Sequence, residues 1–168
     1  MASNSSFDVT TGVDMNEVHN AVTQATKEIL QRYDFKGLKV AIDFDPKEKT
    51  LVLSAPDDFK IKAIWDVLQG KLVRRQVPLK NLTPGEVEPA AGGAARQSIA
   101  IQDGLTSDMA REVAKTIKEA KLRKVQASIQ GDTVRVSSPS KDELQGVMTL
   151  LKQQDFGVEL KFGNYRTN

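Results

Sequence analysis

The chain has 168 residues, enough for one large or two small domains, and its 39% apolar content can supply a core. A formal net charge of +2 argues against strong non-specific attraction to nucleic acid or membrane surfaces. The lack of cysteine excludes disulfides and thiolate metal sites, and no apolar run approaches the ~20 residues that span a bilayer.

The first residues, MASNSSFDV, hold no basic run followed by an apolar stretch, so the expectation is a cytoplasmic protein without a signal peptide. A short alternating run, SFDVT, predicts a strand. Asp14 then caps a helix, with Glu17 at the capping-box spacing and Met15, Val18, Val22, Ala25 and Ile29 forming an apolar stripe. LKVAIDF and TLVLSA predict two strands joined through DPKEK. A second helix begins near Asp57 with Ile61, Ile64, Trp65, Leu68 and Leu72 on its buried side. QVPLKNL is the candidate closing strand, confined to an edge by Pro78. The stretch Thr83 to Ala95 is rich in Pro, Gly and Ala and is expected to be a mobile connector.

The order then recurs. RQSIAIQ predicts a strand, and Met109, Val113 and Ile117 mark a helix. VQASIQGDTVRVSS predicts a hairpin closed by the two-residue loop Gly131-Asp132. Ser140 caps a further helix with Glu143 at the capping-box position, and GVELKF closes as a strand with Val158, Leu160 and Phe162 inward. The second helices of the two halves superpose at a constant offset: Ile61 on Leu144, Ile64 on Val147, Trp65 on Met148 and Leu68 on Leu151. The fold expected is therefore α+β: two tandem ferredoxin-like βαββαβ domains, each an antiparallel sheet with its helices on one face. The other face of each sheet is left open. In the hairpin that face carries Gln126, Ser128, Gln130, Thr133, Arg135 and Ser137.

Catalytic chemistry is sparse. His19 is the only histidine, at the edge of an apolar stripe, and reads as half-buried rather than catalytic, since no cysteine or second histidine can pair with it. Asp43 and Asp45 could hold Mg²⁺, but DFDPKEK reads better as a solvated turn. The Gly-rich phosphate cradles G-x-x-x-x-G-K-[ST] and G-x-G-x-x-G do not occur, and acidic residues already occupy the helix starts. The expectation is a non-enzymatic protein with no catalytic residues, no metal and no cofactor.

Cations do cluster. Lys71, Arg74 and Arg75 end one helix, and Lys115, Lys118, Lys121, Arg123 and Lys124 run along and off another, placements that the helix dipole alone favours. Arg135 differs, because it lies mid-strand among hydroxyls and amides, with Lys161 on the closing strand at the same phase. Its fork suits a phosphate and a base edge, or else a solvated cross-strand pair with Glu159 or a neighbour. Base-stacking aromatics on an open sheet face are missing from the strand pattern, which disfavours RNA recognition by stacking.

Several stretches in fixed order, SFDV, EVHNAV, RYDFKG, IQGDTVRV, SKDELQGVM and LKFGNYR, resemble the bacterial YajQ family over nearly the whole chain. The resemblance implies tandem ferredoxin-like domains that exchange their first strands. One domain would span residues 12–102, with the exchanged strand at about 96–102, and the other residues 1–11 and 103–168. It also implies nucleotide binding, most specifically a cyclic di-GMP receptor acting as a signalling effector through protein partners such as a transcription regulator. An RNA-associated protein is the alternative, and no membrane partner is implied. Carried over, RYDFKG points to Arg32, Asp34, Phe35 and Lys36 as nucleotide-binding candidates. QGDTVRV points to Gln130, Asp132 and Arg135, and the tail to Lys161, Asn164 and Arg166. The sequence departs from the family pattern at PAAGGAAR, where the family has a shorter SGK-like approach to the middle strand and Arg96 would substitute for its lysine.

Overall fold

The computed structural model describes residues 4–167; the first three residues of MASNSSFDV, read above for a signal peptide, lie outside them. Two compact units divide the chain. One is Val13–Gln102, and the other joins the segment up to Gly12 with everything from Asp103 onward. Each is a four-strand antiparallel core sheet backed by two helices, so the chain is a tandem of ferredoxin-like βαββαβ domains.

In the Val13–Gln102 unit, α1 (Met15–Gln31) is followed by β2 (Ala41–Asp45), β3 (Thr50–Ala55), α2 (Asp58–Arg74), the short β4 (Leu82–Pro84) and β5 (Glu88–Pro89), and β6 (Ala95–Ile101). The order is β2-β3-β6-β4, with β5 also paired to β6. In the other unit, α3 (Ser107–Glu119), β7 (Gln126–Gln130), β8 (Thr133–Ser138), α4 (Lys141–Lys152) and β9 (Lys161–Thr167) enclose β1 (Ser5–Thr10), and the order is β7-β8-β1-β9. The two first strands have thus changed places. β1 opens the chain yet lies between β8 and β9, and β6 takes the equivalent central position beside β3.

Hydrophobic burial holds the exchanged strand in place. Phe7 and Val9 of β1 are fully buried in one cluster with Val113, Val134, Val136, Leu144 and Val147. Burial of each such side chain contributes about 1.5–3 kcal/mol. Phe7 also meets Phe162 edge to face, with ring centroids 5.8 Å apart. The second cluster is built around Leu51, Leu53, Ile61, Ile64, Leu68 and Ile99. The offset between the halves holds in three dimensions: Ile61, Ile64 and Leu68 are buried as Leu144, Val147 and Leu151 are, and Trp65 and Met148 are each partly buried against their own core.

Several local expectations are corrected. Asp14 caps α1 by accepting from the Asn16 amide at 2.9 Å, while Glu17 accepts from Asn20 and pairs with Arg75 instead of closing a capping box. QVPLKNL is a loop and a single 3₁₀ turn at Leu79–Asn81, and only its last residue, Leu82, enters a strand, β4. Here the buried Asn81 amide donates to the Gln102 carbonyl at 2.9 Å, holding the backbone in a turn. The Pro/Gly/Ala stretch after it is not a free connector but is hydrogen-bonded along β6: the Gly85 amide donates to Ser98 O at 2.8 Å and Gln97 Nε2 to Gly85 O at 2.7 Å. Arg96 stands opposite Ser54 and Glu88 in these ladders. Lastly, the closing strand begins at Lys161 and not at Gly157, because Gly157 takes a left-handed φ of 81° and Asp155 caps its amide at 2.8 Å. Val158, Leu160 and Phe162 still pack on the core.

Candidate functional site

The open face of the β7-β8-β1-β9 sheet is assembled in rows by the ladder register. Ser128, Arg135, Asp8 and Gly163 form the central row, and Gln126, Ser137, Ser6 and Arg166 form the row beside it. Lys161 stands opposite Thr10, and Gln130 opposite Thr133 at the hairpin end. The loop Gly131-Asp132 closes the hairpin, with Gly131 at φ 64° as a two-residue loop of this hand requires.

At the centre of this face, Asp8 is gripped from both sides. Arg135 Nε donates to Asp8 Oδ1 at 3.0 Å and its Nη2 donates to Oδ2 at 3.5 Å, while Asn164 Nδ2 donates to Oδ2 at 2.7 Å. The Asp8 side chain is only 12% exposed against 31% for Arg135, so the carboxylate is the buried anchor and the guanidinium the accessible group. The Arg135 hydrogen bond holds the Asp8 carboxyl below the usual range against the opposing effect of burial, with Asn164 and the charge of Arg166 adding to it. Arg135 is raised by the same pair. Asn164 reaches Asp8 because β9 carries one extra residue between Gly163 and Arg166, and Asn164 adopts φ 51°. Such a bulge re-aims a side chain, here onto the polar face.

The cross-strand partner of Arg135 is therefore Asp8, not Glu159. Sequence reasoning missed Asp8, although SFDVT places it on the polar phase between Phe7 and Val9. Nothing local announces that β1 enters the sheet beside β8. Two Arg135 donors are committed to Asp8, and a guanidinium has five. With Lys161 and Arg166 exposed nearby on β9, the face sets three cations against one carboxylate.

Of the sequence-singled residues, Arg135, Asn164, Arg166, Lys161 and Gln130 thus share this one face, with Asp132 in the loop at its end. Arg32, Asp34, Phe35 and Lys36 belong to the other unit, in the turn after α1. Arg32 binds Asp34 bidentately at 3.0 and 2.8 Å, raising the Arg32 pKa and lowering that of Asp34. Lys60 donates to the Asp34 carbonyl at 2.8 Å, and both cations lie over the buried Phe35 ring, at 5.3 Å for Arg32 and 5.0 Å for Lys60. Lys36 is exposed beside this cluster. His19 is exposed rather than half-buried. Asp45 caps its own turn, accepting from the amides of Lys47 and Glu48 at 3.0 and 3.2 Å, as a solvated turn does. Among the described residues, no helix is long and apolar enough to cross a membrane.

Strand exchange, tandem ferredoxin-like units and one polar, cationic open sheet face define a small α+β protein. A family model described as nucleotide-binding protein YajQ-like matches residues 5–166, and the chain belongs to that family. It is 49% identical over 168 residues to a protein of Koribacter versatilis named nucleotide-binding protein, with both chains covered in full. Proteins of the same name from Carboxydothermus hydrogenoformans and Trichlorobacter lovleyi are each 50% identical, covering 99% and 96% of this chain and 100% and 98% of their own.

Proposed function

We propose that this protein is a non-enzymatic nucleotide receptor that takes a cyclic dinucleotide, with cyclic di-GMP as the leading ligand, on the open face of the β1-containing sheet. One observation carries the proposal: Asp8 fixes the plane of Arg135 while leaving further guanidinium donors uncommitted, with Lys161, Asn164 and Arg166 on the adjacent strand. A planar fork held in place suits a phosphate or the O6/N7 edge of guanine, and exposed cations beside it suit a second phosphate. The family name and the names of the relatives support nucleotide binding in general. Phosphodiester hydrolysis would need a positioned base or nucleophile, and the groups on this face are cations, amides, hydroxyls and one tied carboxylate. The effect of binding is relayed through a protein partner. In this reading the Arg32–Asp34–Phe35–Lys36 turn is a lock on its own unit.

Thermal shift against a nucleotide panel tests the reading, since a ligand at ~100 times its dissociation constant adds about 2.7 kcal/mol to stability. Calorimetry on Lys161→Ala and Arg166→Ala then locates the site, because both side chains are exposed and their loss spares the core. A stabilising nucleotide whose affinity is unchanged in both variants would remove the site from this face. An oligoribonucleotide that binds in place of any nucleotide, with a steep salt dependence, would favour the RNA-associated alternative.

A further inference from the structure

The two core sheets present four edges, and three are protected against pairing with another chain. β2 carries Asp43 and Asp45, β4 is three residues long and ends in Pro84, and β9 carries Lys161, Arg166 and the bulge at Asn164. Charges, prolines, short strands and bulges are the usual devices that blunt an edge. β7, Gln-Ala-Ser-Ile-Gln, has none of them, and among the described residues it pairs only with β8. Alternation along a ladder closed by a two-residue loop turns the main-chain groups of Ala127 and Ile129 outward.

Beside this bare edge runs a groove of about 750 Å³ between β7 and α3. Ile117, Val125 and Ile129 supply apolar lining, with Ile129 44% exposed despite lying on the core phase of its strand. Arg111, Lys115 and Lys118, one per turn of α3, supply a cationic rim, of which Arg111 is paired with Asp108. A second copy of the chain, added antiparallel through its own β7, would bring two such rims together, and like charges oppose that.

We infer that β7 is a docking edge for an extended segment of a partner protein in which acidic and apolar residues share one side of the strand. Main-chain pairing to β7 supplies affinity, the apolar side chains fill the groove, and carboxylates meet the α3 cations. This surface is separate in its chemistry from the nucleotide face, and it stands or falls independently of it.

The test uses the full chain and a fluorescent peptide in which Glu and Ile alternate on one side of the strand and Thr fills the other. Anisotropy should give saturable binding that weakens with salt, and a counterpart with Lys for Glu should bind at least about tenfold more weakly. Ala127→Pro removes an outward N–H without touching the β8 pairing, and should abolish binding. Lys115→Glu with Lys118→Glu should reverse the preference between the two peptides, with the helix and its fold intact by circular dichroism. Failure of the acidic peptide to bind, or equal binding by the Ala127→Pro protein, would overturn the inference. So would a wild-type dimer in sedimentation that Ala127→Pro converts to monomer, which would assign the edge to a second copy.

Discussion

Asp8 and Arg135 stand 127 residues apart in the chain and directly opposite each other in the β1–β8 ladder, joined by a 3.0 Å bond from Nε to Oδ1. The pair is a cross-strand contact that only the exchange of β1 makes possible. Because the carboxylate is nearly covered, breaking the pair affects more than a surface charge. Asp8→Ala should destabilise the protein by about 1–2 kcal/mol, since it leaves the donors of Arg135 and Asn164 without their acceptor. Urea unfolding would measure this, and an unchanged midpoint would mean that solvent satisfies both donors equally well.

Acid should weaken the protein through the same group. The folded pKa of Asp8 lies below the ordinary aspartate value, first because of the Arg135 hydrogen bond. Between the folded value and about 3.9, the unfolded chain binds the proton and the folded chain does not, so stability rises with pH across that window. The contribution is full above about pH 5 and is lost as pH falls through the ordinary value towards the folded one. Asp8→Asn should therefore lose stability less steeply than wild type between about pH 5 and pH 3. Parallel curves would show that Asp8 titrates alike in both states.

Asn164 performs two tasks that substitution can separate. It occupies φ 51°, and its amide bonds Asp8 at 2.7 Å. Asn164→Gly loses the bond but keeps an easy backbone, whereas Asn164→Ala loses both. Alanine should be the more destabilising by about 1 kcal/mol, the cost of a left-handed conformation for a residue with Cβ. Thermal denaturation of the two variants side by side would reveal it; alanine no worse than glycine would mean that the bulge relaxes.

Removing the exchanged strand should affect one unit only. A fragment of residues 13–102 contains its entire core and should fold. A fragment of residues 103–168 lacks Phe7 and Val9 and the strand between β8 and β9, and should be unfolded alone. Adding a peptide of residues 1–12 should restore its circular dichroism signal, and a cooperative fold without the peptide would contradict the dependence on β1.

Affinity for nucleotide should depend on the guanidinium fork and not on charge alone. Arg135→Lys and Arg135→Ala should each weaken cyclic di-GMP binding roughly tenfold or more, because an ammonium cannot grip Asp8 and a ligand in one plane. Calorimetric titration of the three proteins decides, and wild-type affinity in the lysine variant would mean simple charge attraction.

Local chemistry alone identified most of the architecture. Period-3.6 stripes such as Ile61, Ile64 and Leu68, the helix start near Asp57, the cap at Ser140 and the Gly131-Asp132 hairpin are encoded within a few residues, so helices, strands and the two-fold repeat are legible. The polar phase of Arg135 is legible for the same reason, since a strand has a period of two.

What surrounds Arg135 was settled only by the tertiary structure. Side-chain period says which face a residue takes but not which strand lies next to it, and nothing in SFDVT selects β8 over β3. That choice was recoverable from family resemblance and not from pattern. It rests on the long-range burial of Phe7 and Val9 with Val134, Val136 and Leu144, a sum over many contacts between distant segments. The bulge at Asn164, the pairing of the Gly-rich stretch with β6 and the bare edge of β7 have the same origin, because strand neighbours and edges exist only once the sheet has been assembled.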